Sequence, residues 1–306
     1  MEYRRFQSEF KKQFPDYLPL EWETWEIQYY KRYKVNAELD AVTVMPPEGE
    51  ENTDKDSIRA YPVFYLQDLY ELHQAGNEIE SILRYVSSIM QSAPGQDEIK
   101  KSGFQLDRLK DCIVFQMINY ERNHEMLKEL PHRRILDLAV IYRALLFDKD
   151  GRWGGIVVTD SVMKEWGMTE EDLYEIAYRH TPEAFPFRIR SMEEAVNEDD
   201  TLPLVHLQNP ENRMYVITTD SFQFGADAFL YSEVMKQIAE QFEGEGFLLI
   251  PGSTHELYAV RSPLQHVDFW KNTLKYANQK LVKKDEWLSD NLYYYNAEKE
   301  MITLFR

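Results

Sequence analysis

Two apolar runs on either side of an Asp-Gly pair constrain the fold of this chain more than any other feature of its sequence. The run DLAVIYRALLF, residues 137–147, precedes Asp150-Gly151, and the run GGIVVT, residues 154–159, follows it. Asp and Gly tolerate the backbone angles that a tight turn requires, so this pair between strand-forming residues is a strong hairpin signal. We therefore predict an antiparallel sheet.

Helical and strand periodicities alternate along the rest of the chain. Phe6, Phe10 and Phe14 recur at the spacing of one helical face, and residues 24–45 alternate apolar and polar positions around a KVNA turn, as a hairpin does. Strand-like runs also occur at 112–118, 214–219, 246–251 and 256–261. The pattern predicts an α+β protein with mixed antiparallel sheets and helices packed on them.

A linker-like segment, APGQDEIKKSG, divides the chain. It begins at Ala93 and is rich in charged and turn-forming residues. We predict two domains, 1–95 and 96–306, of which the second carries the polar motifs described below.

Several helix faces and ends are predicted from spacing. Residues 77–92 place Ile79, Ile82, Leu83, Val86 and Ile89 on one apolar face. Further along, Thr159 or Asp160 is suited to cap one helix, and Thr169 with Asp172 a second one. The segment FPFRIRSM, residues 185–192, is predicted to be a surface connection.

The charge balance argues against nucleic acid and anionic membranes as partners. The chain has 53 acidic and 35 basic side chains, for a net charge of −18. Phosphate neutralisation requires a clustered basic face, and the runs Lys100-Lys101 and Lys283-Lys284 are too short to form one.

Cysteine usage and the N-terminal residues favour a cytoplasmic protein. Cys112 is the single cysteine, so an internal disulfide and a site with several thiolate ligands are both excluded. The segment MEYRRFQSEFKKQF has no apolar central region of the kind that a secretory signal needs.

The common cofactor and metal motifs are missing, so we expect no cofactor and no metal. No phosphate loop ending in Gly-Lys-Ser/Thr is present, and Gly244 to Gly246 lead into a strand rather than a helix. His255-Glu256 begins like a zinc-peptidase motif, but Ala259 occupies the position of the second histidine. Asp148 and Asp150 weakly resemble a calcium loop in which Thr159 replaces the closing glutamate.

Ser253, His255 and Glu256, in STHELYAV, are the candidates for catalysis. In an extended chain Ser253 and His255 lie on the same face, which would suit a serine nucleophile and its base. The alternative is that these side chains only make the hydrogen bonds of a turn at the start of a strand.

His132, Arg133, Arg134 and Asp137, in ELPHRRILD, are candidates for binding a ligand or partner. His132 follows Pro131 and is predicted at a helix end, where an imidazolium meets free carbonyls. Arg133 is placed to pair with Asp137. These features suit either a capped structural joint or a site for an anionic ligand.

Asp220 and Ser221, in TTDSFQFGADAF, are the other binding candidates. A strand that leads through polar residues into a helix presents free backbone donors at the helix start, which suits an anion. The two side chains are equally suited to capping that helix themselves.

Five segments in this order resemble an uncharacterised bacterial family of gut anaerobes, a domain of unknown function similar to the YtpQ-like proteins. The segments are INYERNHEMLKELPHRRILDLAVIYRALL, EWGMTEEDLYEIA, MYVITTDSFQFGADAFL, IPGSTHELYAV and LSDNLYYYNAE, between Lys110 and Asn296. The chain departs from the family pattern at Gly252 and Asp227, where a serine and a small apolar residue are expected. The resemblance implies a cytoplasmic bacterial protein and no transferable activity.

The sequence therefore favours a non-catalytic binding or interaction protein whose partner is an unknown protein or small molecule. A hydrolase using Ser253 and His255 is the alternative.

Overall fold

The α+β class is confirmed. The computed structural model describes residues 1–47, 61–92, 109–110, 112–147, 153–198, 213–261 and 267–305. The chain divides into two compact units, Met1–Gln105 and Leu106–Arg306. The predicted domains, 1–95 and 96–306, stay a prediction.

The first unit packs helices on a three-stranded antiparallel sheet with the order β1-β2-β3. The core of this unit contains Phe6, Phe10 and Phe14, so the predicted face of the first helix is confirmed. The elements are α1 (Tyr3–Gln13), β1 (Glu26–Lys34), β2 (Ala37–Met45), β3 (Phe64–Tyr65), α2 (Leu66–Gln74) and α3 (Ile79–Ser92), with 3-10 turns at Phe14–Tyr17 and Leu20–Trp22.

The predicted face of α3 is wrong at one position. Ile82, Leu83 and Val86 are buried, but the next buried residue is Met90, while Ile89 is 39% exposed. At about 100° per residue, Met90 lies between Leu83 and Val86 around the helix, whereas Ile89 lies about 120° from Leu83, at the edge of the buried face.

The second unit contains a four-stranded sheet organised around one long strand. Strand β4 (Ile113–Asn119) pairs along one edge of β6 (Leu138–Phe147), and β5 (His132–Ile135) and β7 (Trp153–Val157) share its other edge. Phe147 pairs with Trp153, so the predicted antiparallel pairing across Asp150-Gly151 is confirmed, while the turn itself lies outside the described residues.

A six-stranded antiparallel sheet forms the rest of the framework of this unit. Its order is β13-β12-β10-β11-β9-β8. The strands are β8 (Phe187–Ser191), β9 (Met214–Thr219), β10 (Phe247–Ser253), β11 (Glu256–Arg261), β12 (Tyr293–Asn296) and β13 (Met301–Leu304). The segment predicted as a surface connection contains strand β8, so that prediction is wrong. The strand lies at the edge of the sheet and is half exposed, and its polar side chains, such as Arg188 and Arg190, gave the sequence the appearance of a loop.

Six helices accompany these sheets among the described residues. Their bounds are α4 (His124–Leu127), α5 (Asp160–Glu165), α6 (Glu170–Ala184), α7 (Met192–Glu198), α8 (Ser232–Gln241) and α9 (Val267–Lys280), with 3-10 turns at Glu121–Asn123 and Gly225–Leu230. Thr159 caps α5, and Thr169 and Asp172 form a reciprocal capping box on α6, as the spacing predicts.

Side chains satisfy the outer edge of the buried strand β4. The strand lies at the end of its sheet, and a buried N–H group without a partner is costly. The Phe115 N–H donates to Thr181 Oγ1 of α6 at 2.9 Å, and the Met117 N–H donates to Asp227 Oδ1 at 2.8 Å. The buried acid therefore has a structural role in place of the small apolar residue expected at Asp227.

Asp227 is fully buried in the 3-10 turn Gly225–Leu230. Its Oδ2 atom has no hydrogen-bond partner in the described part of the chain. Burial raises the pKa of this carboxyl to about 8, and the bond from the Met117 N–H offsets only part of that effect.

Candidate functional site

The predicted joint ELPHRRILD is a β-hairpin. Strand β5 begins at His132 and pairs with β6 in a register that places Ile135 opposite Leu138, and Leu136 in the turn has a φ of 59°. The prediction of His132 at a helix end is therefore wrong, because β5 starts directly after Pro131. Its Nδ1 atom nevertheless lies 2.8 Å from the Leu130 carbonyl oxygen.

Both arginines of this hairpin are engaged inside the protein. The predicted pairing of Arg133 with Asp137 is wrong. The Arg133 guanidinium contacts Glu170 and Glu171 at 2.8 Å each and lies over the Tyr174 ring. The two glutamates belong to the first turn of α6, so Arg133 ties β5 to that helix end.

The contacts of Arg134 among the described residues are local. It donates to the Leu136 carbonyl at 3.1 Å, pairs with Glu121 at 3.3 Å and lies over the Tyr120 ring. Both guanidinium groups therefore make contacts within the protein, and a binding role for them stays a prediction.

Asp137 accepts three side-chain hydrogen bonds from a distant part of the chain. Ser289 Oγ donates at 2.7 Å, Asn291 Nδ2 at 2.9 Å and Tyr293 OH at 2.8 Å. The bonds from Ser289 and Asn291 attach the β5–β6 turn to the irregular segment 281–292, which we call the wall segment, and the bond from Tyr293 attaches it to β12. The predicted binding residue Asp137 is thus a structural anchor of this segment.

Other side chains and backbone groups hold the wall segment in place. Asn119 Nδ2 donates to the Leu288 carbonyl, Asn278 Nδ2 donates to the Ser289 carbonyl, and the Thr254 N–H donates to the Glu286 carbonyl. Leu288, Ser289 and Leu292 are buried. The wall segment therefore has a defined position although it contains no helix or strand.

The wall segment and α9 border an open cavity of about 1000 Å³, which Arg122, Leu304 and Phe305 also line. Val267 and Leu274 of α9 pack inward against the six-stranded sheet, which leaves another side of the helix facing the cavity. The basic side chains that line the cavity are Arg122, Lys271, Lys275, Lys280 and Lys284.

The charge in this cavity is opposite to that of the chain as a whole. Lys271, Lys275, Lys280 and Lys284 make no ion pair among the described residues. Among the described lining residues one is acidic, Asp290, and it accepts bonds from Asn278 Nδ2 at 2.7 Å and Trp287 Nε1 at 3.3 Å. The cavity therefore concentrates positive charge in a protein with a net charge of −18.

Arg122 and Trp287 form the junction between the wall segment and β4. The Arg122 guanidinium lies 4.8 Å from the centre of the Trp287 ring, and the Arg122 N–H donates to Asn119 Oδ1 at 2.9 Å. The indole thus lines the cavity between the Arg122 cation and the Asp290 carboxylate, and its fluorescence can report on a bound anion.

These basic residues were not predicted as a site, because they are distributed over 163 positions of the sequence. The available signal was the spacing of Lys271 and Lys275, which places them one helical turn apart on the same side of α9.

The predicted catalytic residues form a turn between β10 and β11. The His255 N–H donates to Ser253 Oγ at 3.0 Å, so the serine hydroxyl accepts a bond from the turn backbone. Gly252 lies near the end of β10, where the pairing with β11 is irregular, and a Cβ atom there would lie 2.5 Å from Tyr258 Cε2. A serine at this position, as expected from the family pattern, would require Tyr258 to move.

The His255 ring has little capacity left as a base for Ser253. Its Nδ1 atom accepts the Phe224 N–H at 3.2 Å, which requires the neutral tautomer with the proton on Nε2. Nε2 lies 4.0 Å from Glu286 Oε1 in the wall segment. Burial lowers the pKa of His255 despite the nearby Glu286, and burial raises the pKa of Glu256, which accepts a bond from Tyr258 OH.

Asp220 and Ser221 do not lie at a helix start. Arg188 Nε donates to Asp220 Oδ1, and Ser221 Oγ lies 3.2 Å from Thr219 Oγ1. The next helical residues begin at Gly225, whose N–H donates to the His255 carbonyl. This backbone donor is therefore used within the protein, and a binding role of Asp220 and Ser221 stays a prediction.

The comparisons with known proteins assign the chain to a family. A model of a family of unknown function, DUF5688, matches residues 3–297, and the chain belongs to this family. No curated protein and no solved structure matches it. Within the described ranges, no group of three or more potential metal ligands occurs, and no helix is sufficiently long and apolar to cross a membrane.

Proposed function

We propose that this protein is a binding protein whose cavity between α9 and the wall segment holds an anionic ligand. The observation that carries the proposal is the group of five basic side chains around one cavity in a strongly acidic chain. Lysines that line one cavity and make no ion pair among the described residues repel one another, and a bound carboxylate or phosphate group offsets that repulsion.

The rigid framework behind the cavity supports this role. Asp137, Asn119 and Asn278 hold the wall segment through its backbone and side chains, so the cavity exists before a ligand arrives. A preformed site loses less conformational entropy on binding than a mobile one. The setting that we propose is a bacterial cytoplasm, with YtpQ-like proteins as relatives.

A Lys271→Ala/Lys275→Ala variant is expected to bind anions at least roughly tenfold more weakly than the wild type, because two unpaired cations are lost from one side of the cavity. Pyrophosphate and citrate are suitable probes, and isothermal titration calorimetry measures their affinity. The affinity of the wild type should fall as the salt concentration rises.

The matched control is Lys164→Ala/Lys299→Ala, which removes the same charge from exposed positions outside the cavity. It should bind both probes like the wild type. Equal weakening by the two double variants would show that only the overall charge matters and would contradict the proposal. A bound probe in the cavity should quench the fluorescence of Trp287. Quenching that occurs in the wild type and is absent in Trp287→Phe would locate the probe in the cavity.

A Ser253→Ala variant tests the alternative of a hydrolase. We expect it to leave any hydrolytic rate toward ester substrates unchanged, because the hydroxyl accepts the His255 N–H and the ring nitrogen Nδ1 is occupied by Phe224. A chromogenic ester assay on the wild type and the variant measures this. A wild-type rate that disappears in Ser253→Ala would instead favour the hydrolase.

A further inference from the structure

The outer side of α9 carries exposed aromatic residues that do not line the basic cavity. Phe269 is 60% exposed and Tyr276 is 61% exposed. We call these two residues the apolar ridge. Phe269 and Tyr276 are seven residues apart, so they lie on the same side of the helix about 10 Å from each other along its axis.

The ridge is distinct from the inner face of α9. Val267 and Leu274 are buried, and Trp270 packs against the same cluster. Phe269 contacts the edge of the Trp270 ring, with centroids 4.9 Å apart, which fixes the base of the ridge. The helix therefore has an inner apolar face, a basic face toward the cavity and an outer apolar ridge.

The basic side and the ridge are different sides of α9. Lys271 and Lys275 line the cavity, and a rotation of roughly 100 to 160° about the helix axis separates them from Phe269 and Tyr276. A ligand that contacts both sides must extend around the helix and combine negative charge with apolar side chains. A small inorganic anion bound in the cavity does not contact the ridge, because Phe269 and Tyr276 do not line the cavity.

We propose that the ligand of this site is an acidic polypeptide segment, with carboxylates in the cavity and an apolar side chain on the ridge. This inference rests on the proposed anion binding and names the ligand class. Charge complementarity supports it: the lysines attract acidic side chains, while the net charge of −18 repels acidic chains elsewhere on the surface. Aromatic residues beside a charged rim are typical anchors of such interfaces.

The test uses two fluorescent synthetic peptides, one of glutamate and leucine and one of equal charge with serine in place of leucine. The full-length protein should bind the leucine peptide more tightly, as measured by fluorescence anisotropy. A Phe269→Ser/Tyr276→Ser variant should bind the leucine peptide roughly tenfold more weakly than the wild type while retaining wild-type affinity for pyrophosphate and for the serine peptide. The control Leu20→Ser/Tyr85→Ser changes exposed apolar residues in the first unit and should have no effect.

The outcomes separate this inference from the proposed function. If both peptides bind equally and the Phe269→Ser/Tyr276→Ser variant behaves like the wild type, the peptide ligand is refuted and anion binding survives. If neither the peptides, pyrophosphate nor citrate bind, both proposals fail. Binding to phosphatidylglycerol vesicles that requires Phe269 and Tyr276, without binding of the leucine peptide, would assign the ridge to a lipid surface and overturn the inference.

Discussion

An Asp227→Asn variant is expected to gain stability over the wild type as the pH rises from 5 to 8, by on the order of 4 kcal/mol across that interval. Burial raises the pKa of Asp227 from 3.8 to about 8, so the native state retains a proton that the unfolded state has released. The stability that this group contributes is complete below pH 4 and is lost as the pH rises toward 8. Asparagine does not titrate and keeps an acceptor for the Met117 N–H.

Urea denaturation of both proteins at pH 5, 6, 7 and 8 measures this difference. Groups that titrate in both proteins cancel in the comparison, so a constant difference across the range would contradict a raised pKa. Asp227→Ala serves as the second variant. It leaves the Met117 N–H buried without its acceptor, and at pH 5 it should be less stable than Asp227→Asn by about 1–3 kcal/mol.

An Asp137→Ala variant should lose roughly 3–5 kcal/mol of unfolding free energy, because three donors lose a shared acceptor. Ser289 and Tyr293 are buried, so their hydroxyl groups cannot readily turn to water instead. Urea denaturation gives the size of the loss. Since Asp137 anchors the wall segment, the variant should also bind pyrophosphate more weakly, although Asp137 does not line the cavity.

Two further variants test whether the loss of stability in Asp137→Ala comes from the three hydrogen bonds to Asp137. Tyr293→Phe removes one of the three bonds and should cost about 1–2 kcal/mol. Asp137→Asn keeps one acceptor oxygen and should fall between Tyr293→Phe and Asp137→Ala. A loss below about 1 kcal/mol in Asp137→Ala would show that the wall segment is held mainly by its buried apolar side chains.

Local patterns predicted many of the elements correctly. The spacing of Phe6, Phe10 and Phe14 predicts α1, and the Asp150-Gly151 pair predicts the pairing of β6 with β7. The capping residues Thr159 and Thr169 also lie at the predicted helix starts. These predictions succeed because periodicity and caps depend on residues within one or two turns of each other.

The errors concern partners that are distant in sequence. Arg133 was expected to pair with Asp137 but pairs with Glu170. Asp137 accepts hydrogen bonds from residues about 150 positions away in the sequence. His132 and FPFRIRSM form strands because neighbouring strands β6 and β9 offer them backbone partners. A single sequence shows which side chains can donate or accept hydrogen bonds, but it does not show which donor bonds to which acceptor.

The same distinction applies to the candidate site. By itself the sequence determined the α+β class, the local helices and hairpins, and a net charge that makes any group of basic residues noteworthy. Only the tertiary structure decided that Arg122 lies with lysines of α9 and the wall segment around one cavity, and that Asp137 anchors that wall. The physical reason is that charge and periodicity are properties of residues and short segments, whereas a cavity exists only where packed elements leave space between them.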